Sequence, residues 1–234
     1  MPLSDLQAHV ARTITEIPEA QDFVLAGGAA MSILGIGDRT TNDLDYFATA
    51  ARAVDEVRPA IERGLRHAGL TVTLERAEPG FARYVISDAA DRTLLDLAYD
   101  YRLLPPQQTP FGPVLDRDEL AADKTLALFG RAEPRDFVDV YQLRASYTHE
   151  QLCDLAVRKD PGFDRDHFRR ALDAIARHDR AEFGLDDRHY TAMRREFANW
   201  AVELGAEVAR KQVDRHLERR PPPGRDPPGI GRDL

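Results

Sequence analysis

The sequence predicts an α+β protein, in which a small mixed sheet with flanking helices is followed by a helical C-terminal half. Strand-like and helical runs alternate through the first hundred residues, a Pro-rich segment follows, and from Asp118 onward the periodicity is helical. The expected boundaries are an α/β core at 1–103, a connector at 104–117, a helical unit at 118–219 and a disordered Pro/Gly-rich tail at 220–234.

The elements of the first half follow from capping and periodicity. Residues 4–17 have the pattern of an amphipathic helix with Ser4 as its N-cap. The expected order after it is a strand at 23–28, a short helix to Leu34, a strand at 43–48, a helix at 54–68 that ends at Gly69, and strands at 70–74, 82–86 and 93–98. The segment 104–113 is expected to be a loop.

The second half has helical patterns separated by short polar turns. Expected helices cover 118–130, 135–146, 148–158, 165–181 and about 188–218. Pro134 suits the first turn of the second of these helices, where its missing N–H costs nothing. Trp200, with Phe197 and Val202 nearby, is expected to belong to the core.

The composition bounds the class of protein. The 234 residues are 43% hydrophobic and 31% charged, with no apolar run near the ~18 residues of a membrane span and no signal-peptide pattern. The single cysteine, Cys153, cannot form an internal disulfide, so we expect a cytoplasmic protein without a membrane partner. The net charge of −8 argues against a generally basic nucleic-acid binder, although residues 158–220 carry a net charge of +2.

The centre of the predicted site is Asp43-Leu44-Asp45. Side chains alternate along a strand, so the two carboxylates point to one face and repel each other unless a cation lies between them. A divalent metal with oxygen ligands would serve, although an isolated Asp-x-Asp pair is more often a solvated strand end. Upstream, Gly27-Gly28 lets the backbone approach a ligand, and the following helix would direct its N-terminal amides at a phosphate.

A third carboxylate, Asp96, lies in the apolar strand Leu94–Ala98. A buried carboxylate needs a partner, and the sequence leaves two solutions open. One is a local hydrogen bond or arginine; the other is the metal shared with Asp43 and Asp45. In the second case Asp96 would bind a second metal ion or act as general base toward an acceptor hydroxyl.

The helical segments beyond Asp118 supply cations. Lys124, Leu128 and Arg131 fall on one helix face, and Asp136 and Asp139 are neighbours on the next helix. Surface ion pairs in a helical hairpin would explain these residues by themselves. Beside an Asp-x-Asp site, the same cations would neutralise a triphosphate.

These two motifs resemble those of a known family. Gly27-Gly-Ala-Ala with Arg39-x-Thr41-x-Asp43-Leu-Asp45 looks like the first signature of the AbiEii/AbiGii toxin family of nucleotidyltransferases, which share the fold of DNA polymerase beta. The second signature matches at Glu119, Leu120, Ala122, Lys124, Ala127, Arg131, Arg135, Asp136, Asp139 and Tyr141. The resemblance covers about residues 23–143. One departure is Ala29, because the family commonly has Thr or Ser directly after the glycine pair.

The resemblance implies an enzyme with a nucleotidyltransferase fold and a Mg²⁺ ion, with Mn²⁺ as the alternative, on Asp43, Asp45 and Asp96. It implies that the catalytic residues are Asp43, Asp45, Asp96, Lys124, Asp136 and Asp139, without deciding which of the last two is essential. The implied nucleotide-binding residues are Gly27, Gly28, Ala29, Arg39, Lys124, Arg131 and Arg135.

The same resemblance implies a biological role. Family members are toxins of toxin–antitoxin pairs, and some transfer nucleotides to the 3′ end of tRNA. The expected activity is therefore transfer of NMP from an NTP to an acceptor hydroxyl, on tRNA in the first instance, opposed by a separately encoded antitoxin. Two alternatives remain open: the same chemistry on a small-molecule or protein acceptor, and a catalytically inactive nucleotide- or RNA-binding regulator.

Overall fold

The structure, a computed structural model, describes residues 3–37 and 41–218, with the side chains of the last helix described as far as residue 210. The expected tail at 220–234 lies outside the described residues. Within the described part, none of the helices combines the length and the apolar character that crossing a membrane requires.

The N-terminal half forms the sheet and three helices. Its elements are α1 (Asp5–Thr15), β1 (Val24–Ala26), α2 (Gly27–Ile33), β2 (Asp43–Ala48), α3 (Ala51–His67), β3 (Thr71–Glu78), β4 (Phe81–Ser87) and β5 (Arg92–Tyr99). Ser4 caps α1 in a reciprocal capping box with Gln7, as the sequence predicts. The predicted limits of the Asp43 strand are confirmed.

The segment expected to be a loop at 104–113 instead contributes two strands. These are β6 (Gln107–Thr109) and β7 (Gly112–Val114), which form a hairpin that pairs in parallel with β1 at Leu25 and Val114. The described sheet therefore has seven strands in the order β3-β4-β5-β2-β1-β7-β6. The loop prediction is wrong because strands of three residues stabilised by a distant partner carry almost no local pattern.

The C-terminal half consists of helices, as the sequence predicts. They are α4 (Arg117–Gly130), α5 (Pro134–Leu143), α6 (His149–Lys159), α7 (Arg165–Asp173) and α8 (Asp187–Glu218). The helix expected at 165–181 ends early and continues as two short 3₁₀ turns. Pro134 opens α5, as predicted, and Trp200 is buried at 2% exposure against Phe168 and Phe197, so its assignment to the core is confirmed.

The two faces of the sheet have different roles. On one face, apolar side chains of β2, β4 and β5 are buried where α1 and α3 pack; Tyr84 there accepts a hydrogen bond from Arg58 of α3 and donates one to Glu62. The alternation of β2, with Leu44 and Tyr46 buried, turns Asp43 and Asp45 to the opposite face. That second face, toward α4, carries the polar groups.

We predict that Gly112 is essential to the hairpin that completes the sheet. Its φ of +99° disfavours any side chain, and a Cβ there would overlap Thr15 of α1. Gly112→Ala should lower the free energy of unfolding by about 1–2 kcal/mol in denaturant titrations. Gly130→Ala, at a helical glycine with open space around its Cβ position, should cost nothing; equal losses in both variants would contradict the prediction.

Candidate active site

A cleft of about 480 Å³ lies between the polar face of the sheet and α4. The sheet side and α2 contribute Gly27, Gly28, Asp43, Asp45, Phe47, Arg83, Asp96 and Asp100. The helical side contributes Leu120, Asp123, Lys124, Leu126, Ala127, Gly130, Arg131, Arg135 and Lys159. Among these residues five carboxylates face five cationic side chains, so the cleft is charged throughout and close to neutral overall.

Asp43 and Asp45 lie side by side on β2, facing the cleft. Thr41 donates a short hydrogen bond from its Oγ1 to Asp43. Among the described residues, no hydrogen bond or ion pair engages the Asp45 carboxylate. Burial, reinforced by the charge of Asp43, raises the pKa of Asp45 to about 6, although Lys124 and Arg135 act in the opposite direction. The pair therefore holds negative charge that the described side chains leave incompletely compensated.

Gly27 allows the turn before α2 to lie against Asp45. Its φ is +62°, and a Cβ at this position would overlap the Asp45 carboxylate. The register of β1 and β2 explains the contact, because Ala26 is paired with Asp45 across the antiparallel ladder. The glycine pair thus brings backbone and metal-binding candidates to the same point of the cleft, where Gly28 follows as the second residue of the helix.

Asp96 lies beside Asp45 in the parallel register of β2 and β5. Across the antiparallel pair of β4 and β5 it faces Arg83, whose Nε and Nη2 donate to the two carboxylate oxygens at 2.7 and 2.6 Å. Of the two solutions that the sequence leaves open, the structure has the arginine partner. The role of Asp96 as metal ligand or general base stays a prediction, since both its oxygens are engaged.

Two buried carboxylates hold the cations of the helical side. Lys124 contacts Asp139 at 2.7 Å, and Arg131 donates two hydrogen bonds, at 2.9 and 2.8 Å, to Asp136. Asp136 and Asp139 are 0% and 1% exposed and do not line the cleft. Asp136 also accepts from the backbone N–H of Glu133, so it caps α5 while it orients Arg131. Both acids fix cations that face the cleft.

A second ionic cluster lies at another part of the cleft wall. The Lys159 ammonium is 5% exposed and contacts Asp100 at 3.1 Å, Glu119 at 2.9 Å and Asp123 at short range. Burial raises the pKa of Asp123 to about 7 against the opposing effect of Lys159. Burial also disfavours the ammonium, but the three carboxylates raise the pKa of Lys159 above its usual value.

The structure brings most of the predicted site residues together. Those that line the cleft are Gly27, Gly28, Asp43, Asp45, Asp96, Lys124, Arg131 and Arg135. Ala29 is fully buried in α2 and is not among the lining residues. Arg39 lies outside the described residues. Asp136 and Asp139 lie behind the wall, so their predicted catalytic role would be exerted through Arg131 and Lys124.

Several functional candidates were not predicted from the sequence. Arg83 had a detectable signal, because it is a cation at an alternate position of an otherwise apolar strand. The sequence gives no such signal for Phe47 or Lys159, because an aromatic residue in a strand and a lysine at a helix end are common. Asp100 and Asp123 also line the cleft.

The residues fit a divalent metal at Asp43 and Asp45. Asp43 and Asp45 are two carboxylates on one strand face, and within the described part of the chain Asp45 has no partner; together they provide the hard oxygen donors that Mg²⁺ prefers. In the described part of the chain, no group of three or more His, Cys, Asp or Glu is arranged around a common metal position. The pairing of Asp96 with Arg83 accounts for this, because it withdraws the third carboxylate.

The fold and the charged cleft are compatible with a nucleotidyltransferase, and a comparison with protein families identifies the class. The family model described as nucleotidyl transferase AbiEii toxin, type IV TA system, matches residues 10–219. The chain therefore belongs to the AbiEii family of nucleotidyltransferase toxins of type IV toxin–antitoxin systems. A search of curated proteins finds none that matches the chain.

Solved structures agree on the fold. MenT4, the nucleotidyltransferase toxin Rv2826c from Mycobacterium tuberculosis H37Rv, matches with a TM-score of 0.59 and 17% identity, over 87% of this chain and 84% of that chain. JHP933 from Helicobacter pylori matches with a TM-score of 0.54 and 18% identity, over 93% of this chain and 100% of the JHP933 chain. At these identities the likeness concerns the fold alone, and it confirms the predicted nucleotidyltransferase fold.

We predict that Asp45 destabilises the metal-free protein at neutral and higher pH. A folded-state pKa of about 6 against 3.8 means a penalty that is absent at low pH, grows between these values, and reaches about 3 kcal/mol above them. Asp45→Asn should therefore raise the free energy of unfolding in EDTA by up to that amount at pH 8 and by less than about 1 kcal/mol at pH 4.

The control is Asp22→Asn, which changes an exposed carboxylate away from the cleft. It should leave stability unchanged at both pH values. Adding MgCl₂ at pH 8 should raise the melting temperature of the unaltered protein more than that of Asp45→Asn. Destabilisation by Asp45→Asn at pH 8 in EDTA would contradict the prediction.

Proposed function

We propose that the cleft binds an NTP together with Mg²⁺, or alternatively Mn²⁺, and transfers NMP to an acceptor hydroxyl, with the 3′ end of tRNA as the first candidate acceptor. The observation that carries the proposal is Asp45 beside Asp43, a carboxylate without a hydrogen-bond or ion-pair partner among the described residues, with Lys124, Arg131 and Arg135 on the facing wall. An NTP with its metal ion carries both negative and positive charge, so it suits a cleft with carboxylates on one wall and cationic side chains on the other.

In this proposal Asp43 and Asp45 hold the metal, which when bound neutralises phosphate charge and favours the ionised acceptor hydroxyl. Lys124, Arg131 and Arg135 donate to the nonbridging phosphate oxygens. Gly27 and Gly28 line the cleft at the start of α2, where backbone without side chains can approach a phosphate closely. Asp136 and Asp139 are positioning residues, because each fixes a cation without reaching the cleft.

The reaction proceeds by attack of the acceptor oxygen on the α-phosphorus. The new O–P bond forms, the bond from the α-phosphorus to the oxygen bridging to the β-phosphate breaks, and pyrophosphate leaves with the displaced charge. The acceptor proton passes to a carboxylate of the cleft or to water. Asp96 would serve as that base only after separation from Arg83, because both its oxygens accept hydrogen bonds from the guanidinium.

The family assignment implies an antitoxin as partner. We propose that it is encoded separately and that toxin and antitoxin act in the cytoplasm, where NTPs and tRNA are found. The excess of positive charge in residues 158–220 is compatible with an RNA acceptor near the helical half.

The test of the proposal is a transfer assay. Purified protein, MgCl₂ and each α-³²P-labelled NTP are incubated with total tRNA, beside Asp43→Ala and the exposed-site control Asp22→Ala. We expect label on tRNA with the unaltered protein and with Asp22→Ala, and none with Asp43→Ala or in EDTA. Label on protein or on a small molecule instead would keep the chemistry and change the acceptor. NTP binding without any transfer would overturn the enzyme proposal and favour an inactive regulator.

We predict that Lys124 and Asp139 act as a unit. Asp139→Asn leaves the ammonium without its buried counterion, so it should lower kcat about tenfold or more with a smaller change in KM. Lys124→Met should lower kcat comparably. The double variant should lose little beyond the larger single loss, because both changes remove the same interaction.

The matched control is Glu78→Gln, which breaks the exposed ion pair with Arg76 and should leave kcat and KM unchanged. Melting temperatures of all variants separate a loss of folding from a loss of catalysis. Losses that multiply in the double variant would show independent roles and contradict the prediction.

A further inference from the structure

The cleft continues beyond the part assigned to the metal and the phosphates. In the parallel register of β2 and β5, Asp45 lies beside Asp96, and two residues further Phe47 lies beside Ala98. Asp100 follows on the same side of β5 and lines the cleft. The floor therefore changes from carboxylates to an aromatic ring and then to the ionic cluster of Lys159.

The facing wall changes in the same direction. One face of α4 lines the cleft from Arg131 and Lys124 to Asp123 and Leu120. Asp123 and Arg131 are eight residues apart, which is about 12 Å along a helix. With phosphates at Arg131 and Lys124, a ribose and base extending toward Leu120 would lie over Phe47 with the base edge at Asp123.

The cluster at this end has more acceptors than donors. Lys159 contacts three carboxylates, and Glu119 also accepts hydrogen bonds from the backbone N–H groups of Leu103 and Leu104. One oxygen of Asp100 accepts from the backbone N–H of Tyr101. The side chain of Asp123 is 17% exposed and lines the cleft, and among the described residues its Oδ2 has no hydrogen-bond partner. A buried acceptor of this kind is costly unless a ligand supplies a donor.

We infer that this end of the cleft is the base-binding part of the nucleotide site, with Phe47 against the face of the base and Asp123 accepting a hydrogen bond from an amino group on its edge. The inference rests on the proposed function, since it assumes that an NTP occupies the cleft. Carboxylates accept hydrogen bonds, so the site selects bases with an amino group over bases with a carbonyl oxygen in that place. A carbonyl there would oppose one acceptor to another.

The selection is tested with two pairs of nucleotides that differ in this respect. CTP carries an amino group where UTP carries a carbonyl oxygen, and ATP and ITP differ in the same way in a purine. In each pair the adjacent ring nitrogen is an acceptor in the amino member and an N–H donor in the carbonyl member. Dissociation constants are measured by calorimetry at pH 8 in MgCl₂ with analogues whose α,β-bridge is a methylene group and therefore cannot break. We expect at least one pair to show about tenfold or greater preference for the amino member.

Variants separate the contribution of the Phe47 ring to nucleotide affinity from that of the Asp123 carboxylate. Asp123→Asn, which can donate as well as accept, should reduce that preference to within about threefold, chiefly by tighter binding of the carbonyl member. Phe47→Ala should weaken all four nucleotides to a similar degree. Asp22→Asn is the control and should change neither affinity nor preference. Should Asp123→Asn fail to fold, Asp123→Ser provides the same comparison by removing the carboxylate.

The outcomes distinguish this inference from the proposed function. Equal affinity within both pairs, or a preference that Asp123→Asn leaves intact, would overturn the base-binding inference while NTP binding itself stood. Absence of binding by every nucleotide would overturn the proposed function, and the inference with it. A preference for the carbonyl member in both pairs would also overturn the inference, because it would show that Asp123 does not select the amino group.

Discussion

The repulsion between two carboxylates on one strand face is the constraint around which this structure is built. Asp43 and Asp45 both face the cleft because a strand alternates its side chains, and burial together with the charge of Asp43 raises the pKa of Asp45. Lys124 and Arg135 on the facing wall partly offset this repulsion, but among the described residues neither forms a direct ion pair with Asp45. Arg83 pairs with the neighbouring Asp96, although the charge of this third acid still contributes to the raised pKa of Asp45. What remains is a site that gains most from binding a cation.

The cations themselves are fixed by acids placed behind them. Asp139 and Asp136 are almost completely buried, and a buried carboxylate of this kind is stable only with its partner in place. Lys124 and Arg131 therefore hold their positions before a nucleotide arrives. This preorganisation means that little side-chain ordering remains to be done on binding, and ordering is a principal cost of recognising a flexible triphosphate.

The sequence predicts what depends on local pattern and misses what depends on distant contacts. The cap at Ser4, the limits of β2 and the start of α5 at Pro134 follow from neighbours in the chain, and all are confirmed. The strands β6 and β7 were missed because three-residue segments among prolines form through pairing with β1. In the site, Asp43, Asp45 and Lys124 belong to motifs that resemble those of the family. Arg83 and Lys159 have no such pattern, because their roles depend on ion pairs with Asp96 and Asp123, which are not their neighbours in the sequence.

The residues that line the cleft are spread along most of the chain. The first lining residue is Gly27 and the last is Lys159, at the C-terminal end of α6. The sheet is also incomplete until β7 reaches β1. A growing polypeptide on the ribosome consequently lacks a complete cleft until Lys159 has emerged, although its paired aspartates emerge much earlier. A chain that stops before α6 leaves Glu119 and Asp123 without their lysine, so a prematurely terminated toxin would carry uncompensated buried acids at one end of its cleft.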